Sequence, residues 1–156
     1  MKILTIPNPI LRQKSQEIKD ISNPEIQKLI PKMIQTMQAN KGIGLACPQV
    51  GKSIRLIIIA TKNGAIPFIN PKILWHSKKE EIDEEGCLSL PKIYGLVKRW
   101  QEVKIEAFDI NGKKEKIKAQ GLFARVLQHE IDHLDGVLFI DRLIKQTSGA
   151  KINFKK

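Results

Sequence analysis

The sequence predicts an α+β domain in which mainly antiparallel strands pack around a central helix, with a second helix near the N-terminus. Two stretches place apolar residues at helical spacing, short β-branched or alternating runs lie between them, and an Asn-Gly pair folds two of those runs into a hairpin. With 156 residues, 42% of them hydrophobic, the chain can bury one core. No segment reads as a repeat, a linker or a low-complexity tract.

The first helix is expected over 23–41, NPEIQKLIPKMIQTMQANK. Asn23 suits the cap, Pro24 the first turn, and Glu25 the positive end of the helix. Ile26, Leu29, Ile30, Met33 and Met37 share a face, and Gly42 is the expected stop. Pro31 removes a backbone bond inside the helix at a cost of about 3 kcal/mol, so a kink is expected rather than two helices. SIRLIIIAT (53–61) reads as a buried strand, and IPFINPKIL (66–74) as a second with a proline break. In 102–120, Val103, Ile105 and Ala107 alternate with polar residues, Asn111-Gly112 supplies a type I′ turn, and Ile117 and Ala119 return. From Leu122 the period is helical again: Leu122, Phe123, Val126, Leu127, Ile131 and Leu134 form one stripe, which Gly136 ends. This helix is expected to be largely buried. Residues 1–143 are read as the domain and 144–156 as a short, loose basic tail.

The formal charge of +11 invites a nucleic-acid reading, but it comes from 22 scattered lysines and only 5 arginines, and aromatics make up 5%. Base and phosphate recognition favours the forked guanidinium and interleaved aromatics, so no specific nucleic-acid site is expected. The charge still suits contact with a polyanionic assembly such as the ribosome. Two cysteines do not make a disulfide framework, and the start MKILTIPNPILRQKSQEI holds no signal-peptide core. The longest apolar run, LIIIA, is of strand length, so no membrane span is expected and the chain is placed in the cytoplasm. GKS at 51–53 lacks the glycine five residues before Gly51 that a phosphate loop needs.

LQHEIDHLDG, on the second helix, carries two of the three histidines. Positions i and i+4 share a face, so His129 and His133 can hold one ion, and Glu130 can reach a water on that ion as general base. Left without an ion, a mostly apolar helix would bury several polar groups, each at a cost of a few kcal/mol if unpaired. Downstream of His133 there is no His or Glu, and Asp135 faces another way, so the third ligand must lie upstream. Cys47, His76, Cys87 and several carboxylates are candidates. Cys87, in EEGCLSLP, follows Gly86, where the backbone can approach closely. Cys47, among apolar neighbours in GIGLACPQVG, reads as an inert buried thiol, and spacing favours Cys87 over it. Gly42 and Gly44 flank Ile43, so this backbone can lie against an extended substrate.

GIGLACPQVG, EEGCLSLP and QHEIDHLDG, in this order, resemble the three signature motifs of peptide deformylases, and the similarity runs from ILTIPNPILR through GVLFIDRL. The resemblance implies that Cys87, His129 and His133 ligate one divalent ion, Fe(II) by preference, with Zn(II), Ni(II) or Co(II) able to take its place. It implies removal of the formyl group from the N-terminal formyl-methionine of nascent peptides, by attack of a metal-bound water. Gln49 and the Leu88 N–H would stabilise the developing oxyanion, and Ile43, Leu122 and Val126 would receive the methionine side chain. Glu85 matches the glutamate before Gly86 and is read as a positioning group. Two residues depart from the common pattern: Cys47 stands where alanine is usual, and Arg125 where some members are aliphatic, which makes the pocket rim more polar. The alternative, a general zinc metallopeptidase cleaving internal peptide bonds, lacks the usual downstream ligand.

Overall fold

A computed structural model describes residues 1–152. In chain order the elements are α1 (Pro24–Ala39), β1 (Gly44–Ala46), β2 (Leu56–Thr61), β3 (Gly64–His76), β4 (Glu80–Cys87), β5 (Leu90–Trp100), β6 (Glu102–Phe108), β7 (Lys114–Gln120), α2 (Gly121–Leu134) and β8 (Leu143–Ser148). The strands form two antiparallel sheets, one in the order β1-β2-β3-β6-β7 and one in the order β4-β5-β8. This is the α+β arrangement the sequence predicts, with α2 at the centre.

The larger sheet lies between the two helices, and β2 shows why its sequence is apolar throughout. Ile57 and Ile59 join Val126, Leu127, Ile131 and Leu134 of α2 in one core cluster. Leu56 and Ile58 join Leu29, Ile30, Met33 and Met37 of α1 in another. A strand covered on both faces has no solvent side on which to place polar residues. A third cluster joins Leu11, Leu90, Val97 and Phe139, seating the smaller sheet on the N-terminal segment and the turn after α2.

Asn23 caps α1 as expected, accepting from the Glu25 N–H at 2.9 Å, and one helix rather than two runs through Pro31. Several other local expectations change. The helix ends earlier than Gly42. Asn40 is the cap, and the left-handed residue is Lys41, with φ 55°. The predicted break in the second strand is real but local: register shifts between Ile69 and Lys72, around Asn70 and Pro71, and the strand continues to His76. The 102–120 hairpin pairs Ile105 with Ile117, but its turn is not the two-residue type I′. A five-residue loop connects the strands because the Asp109 carboxylate accepts from the N–H groups of Asn111 and Lys113, both at 2.9 Å. Leu122 does not belong to the buried stripe. It sits at the start of α2 and is 66% exposed. The tail is not loose where it follows Leu143: β8 pairs antiparallel with β5, extending the smaller sheet. The last four tail residues, 153–156, lie outside the described residues. No helix among the described residues is long and apolar enough to cross a membrane.

Candidate active site

α2 is buried on every side from Ala124 to Leu134, so its polar residues must find partners inside the protein. His129 and His133 project from successive turns toward the end of β4. A shift in pairing between Gly86 and Cys87 aims the Cys87 thiol at them. Cys87 Sγ lies 3.3 Å from His133 Nε2, and one ligand atom from each of Cys87, His129 and His133 falls within 4.8 Å of the others. Tetrahedral ligation with bonds of about 2.1 Å to nitrogen and 2.3 Å to sulfur sets donors roughly 3.3–3.8 Å apart, so the trio fits one ion. Of the upstream candidates, Cys47 is fully buried against Met33, and His76 is exposed and stacked on Trp100 at 3.7 Å. Burial pushes the Cys47 thiol up to about 12, with Lys52 opposing, so it stays a protonated, inert thiol.

Glu85 orients this trio. Its Oε1 accepts from His129 Nδ1 at 2.8 Å, which leaves Nε2 as the nitrogen free for an ion. Arg99 grips both oxygens at 2.9 Å, and Arg125 adds a bond of 2.7 Å. Burial works to raise the Glu85 pKa, but the hydrogen bonds from His129 and Arg99 and their charges hold it well below the usual carboxylate range. The network continues to Asp132, which accepts from Arg99 and Arg142, each at 2.6 Å. Arg125 does more than make the rim polar. It also donates to the carbonyls of Val97 and Glu81, tying α2 to both strands of the β4–β5 hairpin that carries Cys87. Sequence reasoning missed Arg99 and Asp132, because each reads as an ordinary surface charge until the fold pairs it.

Glu130 lies beside the trio, 4% exposed, and its Oε2 has no hydrogen-bond partner among the described residues. Burial pushes its carboxyl up to about 7. The charges of His129 and Arg99 oppose the rise, and that of Glu85 adds to it. Gly44 explains how this carboxylate fits: a Cβ there would collide with the Glu130 oxygen and come within 2.8 Å of its Cδ and Cγ. Gly86 is needed in the same way, since a Cβ would come within 2.5 Å of the Tyr94 ring. Gln49 is buried, with Oε1 accepting from the Ala46 N–H at 2.9 Å. Its Nε2 therefore faces the site, 3.1 Å from Ser89 Oγ and 3.6 Å from Cys87 Sγ. A cavity of about 550 Å³ opens over these atoms, walled also by Gly42, Ile43, Leu88, Leu122 and Val126.

A buried His-Glu-x-x-His helix joined by an upstream cysteine, beneath an open cavity, has the form of a metal-dependent hydrolase, in which three candidate ligands would leave an open position, rather than of a closed structural site. The family model for polypeptide deformylases matches residues 1–148, and the chain belongs to that family. It is 41% identical over 151 residues to the peptide deformylase of Dictyoglomus turgidum, an alignment covering 97% of each chain. It superimposes on the crystal structure of the peptide deformylase from Thermotoga maritima with a TM-score of 0.89 at 39% identity, covering 91% of this chain and 96% of that one. The Synechococcus elongatus peptide deformylase in complex with actinonin gives 0.88 at 40% identity, covering 92% and 78%.

Proposed function

We propose that the chain removes the formyl group from the N-terminal formyl-methionine of newly made polypeptides, with Cys87, His129 and His133 holding one divalent ion. The observation that carries this is the convergence of the three ligand atoms within 4.8 Å of one another, beside a buried carboxylate with an unpartnered oxygen. Held by Cys87, His129 and His133, such an ion would supply Lewis acidity to the formyl carbonyl and to a water. Fe(II) is proposed on family resemblance; Zn(II), Ni(II) and Co(II) suit the same donors. Glu130 takes the proton of the attacking water and delivers it to the departing amine, a task suited to a buried carboxylate with an unpartnered oxygen beside the trio. Gln49 Nε2 and the Leu88 N–H donate to the oxygen as negative charge builds on it, and the Gln49 amide does so without titrating. Glu85 keeps His129 in the tautomer that presents Nε2.

The peptide is expected to lie between two open strand edges. β1 is the edge of the larger sheet and β4 the edge of the smaller one, and both Gly44 and Gly86 line the cavity. The Ala60 N–H donates to the Ile43 carbonyl, so by antiparallel alternation the amide and carbonyl of Gly44 face away from β2, toward the substrate. Leu122 and Val126, with Ile43, receive the methionine side chain. The family match disfavours cleavage of internal peptide bonds. A cytoplasmic location and contact with the ribosome are proposed on the +11 charge and the substrate alone. The test is release of formate from formyl-Met-Ala against acetate from acetyl-Met-Ala by Fe(II)-loaded protein under anaerobic conditions. Formate alone is expected. Equal release of acetate, or cleavage of the Met-Ala bond, would refute the reading.

A further inference from the structure

The cavity has a cationic end that the proposed chemistry does not use. Lys41 and Lys92 both line it, on the side where α1 ends and β5 begins. The two segments meet there, since a Cβ on Gly42 would lie 2.9 Å from Leu88 Cδ1. Both lysines are exposed, and neither has a carboxylate within 4.0 Å among the described residues, where the paired lysines are Lys98, Lys114 and Lys118. The exposed carboxylate on the cavity wall, Glu84, accepts a hydrogen bond from Thr147 at 2.6 Å.

Both lysines also occupy backbone positions better suited to other residues. Lys41 has φ 55° and Lys92 φ 65°, a region that glycine or asparagine enters at lower cost. At Lys41 the local motif is explicit. The Gly42 N–H donates to the Met37 carbonyl at 2.9 Å and the Lys41 N–H to that of Gln38 at 3.0 Å, the helix ending whose left-handed residue is usually glycine. Lysine contributes nothing to that ending. Its side chain projects at the cavity mouth instead.

Granting the deformylase reading, the direction of the substrate follows. The formyl group lies between Glu130 and Cys87, and the methionine side chain turns toward Leu122 and Val126. The rest of an extended chain leaves along the open edge of β1, from Gly44 past Gly42. Lys41 and Gly44 line the same cavity three residues apart, at most roughly 10 Å of fully extended backbone, so the lysine meets the peptide within about three residues of the methionine. We propose that Lys41 and Lys92 form a cationic exit rim that selects formylated chains carrying acidic side chains at their third and fourth positions. Exposed pairs of this kind are individually weak and screened by salt, so discrimination between acidic and basic peptides is expected to be about tenfold at low ionic strength.

The test compares kcat/KM for formate release from formyl-Met-Ala-Asp-Asp, formyl-Met-Ala-Ala-Ala and formyl-Met-Ala-Lys-Lys by the metal-loaded full chain. The expected order is Asp-Asp, Ala-Ala, Lys-Lys, with the difference carried by KM and collapsing at high ionic strength. In Lys41→Glu/Lys92→Glu the order should invert. In Lys41→Asn/Lys92→Asn, which suits the left-handed backbone, the ratio of the charged peptides should approach one. Equal rates for the two charged peptides in the unsubstituted protein, or a ratio unmoved by the asparagine pair, would overturn the rim. Failure to release formate even from the Ala-Ala peptide would instead overturn the deformylase reading on which the rim rests.

Discussion

Replacing the Glu130 carboxylate by an amide of the same shape isolates one proton transfer. Glu130→Gln is expected to keep its metal, measured by elemental analysis after dialysis, while kcat falls roughly 10²–10⁴-fold. Loss of metal together with activity would make Glu130 a structural residue instead. Cys47, packed against Met33 in the second core cluster, offers a pH test. Its thiol is pushed up by burial from an ordinary 9.0 to about 12, so above pH 9 the unfolded chain gives up this proton before the folded one does. The stability linked to the thiol is therefore intact below pH 9 and is lost as pH climbs toward 12, at about 1.4 kcal/mol per pH unit. Urea midpoints of the unsubstituted protein should fall more steeply between pH 9 and 10 than those of Cys47→Ala. Glu130, His129 and His133 were legible as a group because helical spacing alone brings them together. Arg99 was not. It meets Glu85 across 14 residues and Asp132 across 33, and no local pattern encodes either contact.

At the scale of elements, periodicity located α1, α2 and the β6–β7 hairpin, because each buries a face that repeats along the chain. Turns and ends were less readable. Asp109 reorganised the hairpin loop through side-chain hydrogen bonds, and β8 became a strand only because the exposed edge of β5 accepts it. Two substitutions test these elements. Pro31 is exposed on α1 and contributes no backbone donor, so Pro31→Ala should raise unfolding stability by about 1–3 kcal/mol, read from urea midpoints. Ending the chain after Arg142 removes β8 and with it Leu143, which packs in the third core cluster. The loss is expected to be on the order of 2–4 kcal/mol, a fall in Tm of roughly 5–15 °C by differential scanning calorimetry. An unchanged Tm would mean that β8 is an adornment of the sheet.

For the whole molecule, the ion and the fold are expected to be separable. Three hydrophobic clusters hold the two sheets and two helices together without the metal ligands, apart from Cys87, which packs at the edge of the third. Chelation should therefore abolish formate release while the far-UV circular dichroism stays native, and added Fe(II) or Ni(II) should restore turnover. Unfolding on chelation would show the ion to be structural.

By itself the sequence determined the fold class, the burial of β2 and α2, and the grouping of His129, Glu130 and His133 on one helix, since each follows from local spacing and residue chemistry; Cys87 and Gln49 were expected from the family resemblance. The tertiary structure decided the rest. It brought Cys87 of the smaller sheet to within reach of His133 on α2, locked Glu85 between two arginines, and set Lys41 and Lys92 on the wall of one cavity. These contacts join residues far apart in the chain, and only the packing of sheets against helices fixes which of many distant charges and thiols come to share a site.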